Sequence, residues 1–309
     1  MQEGLVIRTT GSWYRTLLDD GGQLDCRLRG NYRLRGSKQT NPVAVGDRMR
    51  LEPQADGTGL IHDVCDRRNC IVRRATKLSK QTHVIAANID LLCVVATLGL
   101  PRTSTGFIDR LLVTAEAYHI PACVVFNKCD LLADDDLMSA QAEMEGIYNG
   151  AGYNTMRVSA LTGTGIDDLR RALAGRTVLF CGHSGVGKSA LLNALSPGLH
   201  LRVGALSEWS LKGRHTTTFA EIFPIEGGTR LVDTPGIKEF GMVDFTAQEL
   251  SHFFPEMRAV LHGCRFANCT HRHEPQCAVK EAVDEGRISM ERYHNYLNII
   301  EDTNTNNYD

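Results

Sequence analysis

Lys188 and Ser189 close the stretch GHSGVGKS, residues 182–189, behind glycines at 182 and 187. That is the spacing of a phosphate cradle, G-x-x-x-x-G-K-[ST]. Glycines let backbone N–H groups wrap phosphate oxygens, the lysine ammonium reaches the β- and γ-phosphates, and the serine hydroxyl is placed for Mg2+. The lining would be Gly182, His183, Ser184, Gly185, Val186, Gly187, Lys188, Ser189 and Ala190. Forty-four residues after Ser189, DTPG begins at Asp233. An aspartate at a strand end behind such a cradle supplies the second magnesium-side carboxylate, and Gly236 can offer its N–H to the γ-phosphate. KGRHTTT, residues 212–218, lies between the two, where a phosphate-sensing switch belongs. Thr217 or Thr218 would complete the magnesium shell, with Thr217 preferred.

NKCD, residues 127–130, could read a base. A carboxylate at Asp130 accepts from guanine N1–H and the 2-amino group. Adenine offers neither donor, so such a site rejects it by roughly 10⁴. Asn127 would brace the loop and meet N7, and the Lys128 stem would lie over the base. VSAL, residues 158–161, ends the next strand, where Ser159 and the Ala160 N–H could hold O6. Two base-reading loops favour GTP over ATP. Their order is unusual: base reader, SAL, cradle, DTPG. Ligands of α/β sheets lie beyond the carboxyl ends of the strands, so rejoining the connections elsewhere leaves the site intact. The order is that of a circular permutation. Ile237 follows DTPG, where a glutamine often orients the attacking water. Unassisted hydrolysis is therefore expected to be slow. His215 is the nearest candidate to position water, and a merely structural histidine fits the sequence equally well.

CRFANCTHRHEPQC brings Cys264, Cys269, His271 and Cys277 into a C-x4-C-x-H-x5-C pattern, with His273 as an alternative ligand. Three thiolates and an imidazole make a closed, structural zinc site.

The elements that must carry these residues follow from pattern. LDCRLR, 24–29, alternates as a half-buried strand after the turn DDGG. Short strands separated by Gly and Pro over the first 70 residues suggest a small barrel, OB-like or SH3-like. From about residue 80, apolar runs alternate with helices. IDLLCVVATL is a fully buried strand, and Phe107, Leu111, Ala115 and Tyr118 form the stripe of the helix after it. This is a parallel doubly wound sheet. A hairpin is expected over 219–233, helices from about 246 with the capping box TAQE, and a disordered tail EDTNTNNYD.

The chain has 309 residues, enough for two or three domains, and ten cysteines that read as reduced. Its net charge of −2 hides an asymmetry: residues 1–80 carry 15 Lys/Arg against 9 Asp/Glu, the remainder 19 against 27. A basic front end suggests a phosphate-bearing partner, though a solvated barrel face fits as well. No apolar run reaches membrane-span length and no secretion signal precedes the fold, so a cytoplasmic protein with no membrane partner is expected. No coiled coil or apolar surface stripe is evident, and a monomer is expected.

Over nearly its full length the chain resembles the circularly permuted, ribosome small-subunit-dependent GTPase A family (RsgA/YjeQ). The resemblance rests on the basic N-terminal barrel, NKCD, SAL, GHSGVGKS, GRHTTT, DTPGIKEFG and the cysteine-histidine segment, in that order. It implies an OB-fold RNA-binding domain over 1–75, a permuted GTPase domain over 76–242, and a zinc domain over 243–309. It also implies one structural Zn2+, held by Cys264, Cys269, His271 and Cys277, and Mg2+ with GTP. The family's catalytic histidine matches His215. The implied activity is GTP hydrolysis to GDP, stimulated by the small ribosomal subunit and acting late in its maturation through ribosomal RNA. A GTPase serving translation or RNA modification, and a nucleotide-dependent binding module with little turnover, are the rival expectations.

Overall fold

The structure is a computed structural model, and it describes residues 1–29, 41–74, 82–132, 134–199, 220–233 and 247–305. The chain divides into two compact units: residues 1–91, 173–180 and 206–241, and residues 92–172, 181–205 and 242–309.

The first unit opens with five strands: β1 (Gln2–Thr10), β2 (Trp13–Leu18), β3 (Gln23–Leu28), β4 (Arg48–Pro53) and β5 (Gly59–Val64). β1 pairs antiparallel with β2 and β4, β2 with β3, and β4 with β5, while β3 runs parallel to β5. The ring 1-2-3-5-4-1 closes the barrel. Its parallel β3–β5 pairing gives the OB arrangement rather than the SH3-like one. Alternation along each strand sends Val6, Tyr14, Cys26, Met49, Leu51 and Ile61 inward to one core. DDGG turns β2 into β3, with Asp20 accepting from the Gly22 N–H at 2.8 Å.

Beyond the barrel, β6 (Cys70–Arg74) and β7 (Thr82–Ala87) form an antiparallel ladder. β11 (Thr177–Cys181) runs parallel to β13 (Arg230–Asp233), and β12 (Glu221–Pro224) pairs antiparallel with β13 in the expected hairpin. Asp90 fixes the start of β11. It accepts from the Thr177 N–H and from Arg68, at 2.8 and 2.7 Å.

In the second unit β8 (Leu91–Ala96), β9 (Ala122–Phe126) and β10 (Asn154–Arg157) run parallel. Every residue of β8 is buried, as a strand covered on both faces requires. Among the described residues, α1 (Thr105–Ala117), capped by Ser104, joins β8 to β9 and α2 (Asp135–Gly150), capped by Asp134, joins β9 to β10, while α3 (Ile166–Leu173) follows β10 and α4 (Lys188–Leu195) follows β11. The buried stripe of α1 is wider than the expected one. Leu111 and Ala115 are buried, Phe107 and Tyr118 only half-buried, and Ile108, Asp109 and Leu112 are wholly enclosed. The cause is a second covering layer, because α1 packs on β9 and also on the last helix, Met290–Thr305.

The helical C-terminal segment builds its own core from Leu250, Phe254, Met257, Val279, Tyr296 and Ile299, joined by Val113 of α1. Its last helix runs through Thr305 into the tail expected to be disordered. Ion pairs Arg110–Asp302 and Arg272–Glu301 hold that extra turn. Thr246 of the expected capping box lies outside the described residues.

Candidate functional site

The glycine-rich loop links β11 to α4. Gly182 passes so near β8 that a Cβ there would lie 2.4 Å from the Val95 carbonyl oxygen. Gly187 caps α4 with φ 90°, and a Cβ on it would lie 2.4 Å from Asn127 Nδ2. Both the backbone angle and the space therefore require glycine at 187. The Lys188 ammonium donates to the carbonyls of Gly182 and His183, at 2.5 and 2.8 Å, inside the concavity of the loop. Ser189 is buried in the first turn of the helix. Backbone donors, an ammonium and a hydroxyl at a helix start are the parts from which an anion-binding cradle could be made.

Asn127 ties this cradle to the base-reading loops. Its Nδ2 donates to the Val186 carbonyl at 2.9 Å, and its Oδ1 accepts from the Ala160 N–H at 3.1 Å. The Ala160 amide, expected to face a base oxygen, is thus engaged by Asn127. Ser159 donates its hydroxyl to Asp130 at 2.5 Å and accepts from the Thr162 N–H, so the SAL loop orients the carboxylate. Lys128 takes a left-handed φ of 64°, and its ammonium donates to the Leu100 carbonyl at 2.7 Å.

Sequence reasoning missed the loop 97–104 that closes on the cradle. Thr103 shares a 2.8 Å hydrogen bond with His183 Nε2, and Phe107 meets the His183 ring edge-on at 5.4 Å. Pro101 lies against Gly185. Only His183, inside the glycine motif, carried a signal. Asp233 ends β13 in the other unit. His215, Thr217 and Gly236 lie outside the described residues.

The metal-ligand atoms of Cys264, Cys269, His271 and Cys277 lie within 4.8 Å of one another. His271 Nδ1 is 3.6 Å from Cys264 Sγ and 3.3 Å from Cys277 Sγ. A tetrahedron with zinc–sulfur bonds of about 2.3 Å and a zinc–nitrogen bond of about 2.0 Å has sulfur–nitrogen edges of about 3.5 Å, so the group fits a metal ion of that size. His273, the alternative ligand, is exposed and outside the cluster. Burial lowers the His271 pKa, favouring the neutral, ligating imidazole, and pushes the Cys269 thiol up to about 12. Tyr293 and Tyr296 donate to the carbonyls of His271 and Thr270, at 2.6 and 2.9 Å, pinning the loop to the last helix.

A second unforeseen constellation joins α1 to that helix. Arg292, 1% exposed, pairs with Asp109 at 2.6 Å and grips Glu256 through two bonds, at 2.7 and 3.0 Å. Asn295 donates to the other Asp109 oxygen at 2.7 Å, and Phe254 faces the guanidinium at 4.8 Å. Burial works against the Arg292 charge, but Asp109 and Glu256 outweigh it and raise its pKa.

Residues 64–243 match the family model of the RsgA GTPase, and residues 3–61 that of the RsgA N-terminal domain. The chain is 48% identical over 306 residues to the small ribosomal subunit biogenesis GTPase RsgA 2 of Bacteroides thetaiotaomicron, spanning 99% of this chain and 98% of that one. It is 48% identical over 311 residues to RsgA of Porphyromonas gingivalis, again spanning 99% and 98%. Among solved structures, YjeQ from Thermotoga maritima superposes with a TM-score of 0.82 at 36% identity, covering 98% of each chain. YloQ, described as a circularly permuted GTPase, gives 0.79 at 28% identity, covering 99% of this chain and 96% of its own.

Proposed function

The chain belongs to the RsgA GTPase family, and from that membership we propose that it hydrolyses GTP to GDP and phosphate in small-ribosomal-subunit biogenesis, stimulated by the subunit and bound to its ribosomal RNA late in maturation. One observation supports a working site most directly. Asn127 hydrogen-bonds both the phosphate cradle and the SAL loop, so the base reader and the cradle are locked together despite their reversed order in the chain.

Asp130, oriented by Ser159, accepts the two guanine donors, while Asn127 and Lys128 hold the loop that carries it. The Gly182–Ser189 loop wraps the phosphates, and Lys188 swings from the loop carbonyls to the β- and γ-phosphates. Ser189, Asp233 and Thr217 would hold Mg2+, which draws charge from the phosphate oxygens. Gly236 gives its N–H to the γ-phosphate. Water attacks the γ-phosphorus, the bond to the β,γ-bridging oxygen breaks, and the electron pair leaves with GDP. Ile237 cannot orient that water, and His215 takes this role once RNA places it. Unassisted turnover of about 10⁻⁴ to 10⁻² per second follows for a site lacking its activator.

Cys264, Cys269, His271 and Cys277 hold one structural zinc. The domains run over 1–75, 76–242 and 243–309, and the protein works as a cytoplasmic monomer. Among the described residues, no helix is long and apolar enough to cross a membrane.

The deciding experiment is phosphate release from GTP and from ATP, with and without purified small ribosomal subunits, using Lys188→Ala as the blank. Stimulation of GTP turnover alone is the expected result. Turnover indifferent to the subunit removes the partner, and turnover equal to the blank removes the enzyme.

A further inference from the structure

The outer face of β1, β2 and β3 carries a cleft of about 520 Å³ lined by Arg8, Thr10, Trp13, Arg15, Asp25 and Thr58. Register explains the grouping. Arg8 lies opposite Arg15, Arg15 opposite Asp25, and Thr10 opposite Trp13. Tyr14, Thr16 and Cys26 point into the barrel, so their neighbours Trp13, Arg15 and Asp25 point out. The turn between β1 and β2 borders one side, and Thr58, on the turn between β4 and β5, borders the other.

Three observations indicate what this cleft takes. Trp13 is 39% exposed, a large aromatic side chain left partly facing water. The Arg27 guanidinium lies 6.0 Å from the centre of its ring, so cation and aromatic surface already adjoin. The Arg8 Nε is buried without a hydrogen-bond partner among the described residues, although its Nη1 sits 3.7 Å from Glu221. That atom is itself closed to solvent, but 41% of the Arg8 side chain is exposed, so the rest of the guanidinium is open to a ligand oxygen. Arg15 is already held by Asp25 through two bonds, at 2.9 and 3.0 Å, which leaves Arg8 of the lining, with Arg27 beside Trp13, as the cations for a ligand.

A flat π-surface beside guanidinium groups, on the β2–β3 face between these two turns, is how OB barrels take single-stranded nucleic acid. Oligosaccharides use the same face in other OB barrels, but a polyanion suits the positive excess of residues 1–80 better. We propose that this cleft holds one unpaired nucleotide of an RNA strand, its base stacked on Trp13 and its phosphate on Arg8 and Arg27. This rests on the reading that the barrel meets RNA, and it names the feature recognised: an unstacked base, which a continuous duplex does not present.

The chain has two tryptophans, Trp13 and Trp209, so full-length protein carrying Trp209→Phe leaves Trp13 as the one indole. Titration with a short unpaired oligoadenylate should quench its fluorescence, and the same length of duplex RNA or inorganic tripolyphosphate should not. In anisotropy titrations Trp13→Ala, checked for unchanged melting, should weaken oligoadenylate binding about 5- to 150-fold. Arg8→Gln should lower the slope of log affinity against log salt by about one. Binding without quenching that is indifferent to Trp13→Ala, or equal quenching by duplex, overturns the proposal. The family reading is scored separately, by subunit-stimulated GTP turnover of the wild type. Stimulation with no Trp13 response sinks the cleft alone, and a Trp13 response without stimulation sinks the ribosomal partner alone.

Discussion

Asp130 accepts the Ser159 hydroxyl, and its remaining lone pairs suit a base edge with two donors. Changing Asp130 to Asn presents a donor to the guanine 2-amino group. GTP affinity should fall by roughly 10² to 10⁴, and xanthosine triphosphate, with a carbonyl at that position, should bind better than GTP. Competition against a fluorescent GDP analogue checks both directions; unchanged preference for GTP would remove Asp130 from the base site. Residues of this kind are legible in sequence because their chemistry is local: Gly182, Lys188, Ser189, Asn127 and Asp130 stand within two short motifs. Thr103 was not legible, and Phe107 read only as part of a helix stripe. Their partner is His183, which follows Thr103 by 80 positions, and nothing in PRTSTGF points to it. Asp109 was hidden for a related reason, since a carboxylate inside a helix normally reads as surface until its cation is known.

At the scale of elements, α1 is held on one side by β9 and on the other by the Arg292 cluster. Removing one member of a buried pair costs about 3–5 kcal/mol, because its partner remains charged and enclosed. Arg292 serves both Asp109 and Glu256, so Arg292→Met should destabilise more than Asp109→Asn, and adding Asp109→Leu and Glu256→Gln to Arg292→Met should recover part of the loss. Urea unfolding measures all three, and equal losses for the two single changes would contradict the shared role. The entry to β11 depends on Asp90. Burial works to raise its carboxyl, but the Thr177 amide and the Arg68 guanidinium outweigh this and hold it below the usual carboxylate range. Folding therefore favours the ionised form. That stabilisation is complete above the ordinary aspartate pKa near 4 and is lost as pH falls through the lower folded value. Asp90→Asn should melt below wild type at about pH 7, with the gap closing toward about pH 3; a gap constant with pH would rule the charge out. The alternation in LDCRLR and the hairpin of β12 and β13 could be read locally. The choice of OB over SH3-like barrel could not, because the β3–β5 pairing that decides it joins Cys26 to Gly59 across half the barrel.

Over the whole molecule the charge is divided, with a basic front and an acidic remainder. If phosphate contacts carry the association with the small subunit, raising salt from about 50 to 200 mM should weaken it at least tenfold, while the free protein's affinity for GTP changes far less. Subunit pelleting across a salt series measures the first and equilibrium dialysis the second; salt-indifferent pelleting would place the association on apolar contacts instead. The enclosed pair of Arg292 and Asp109 also bears on how the chain is made. Its members are separated by 183 positions. At about 5–20 residues per second, synthesis delivers Arg292 roughly 10–40 s after Asp109, and the end of the chain must then clear the exit tunnel. Throughout that interval α1 carries a carboxylate with no cation to bury it. The nucleotide cradle, which leans on the start of the same helix through Phe107 and His183, is translated in between. The Asp109 carboxylate of α1 therefore waits for the last helix to supply its cation, and a nascent or prematurely terminated chain lacks that pair.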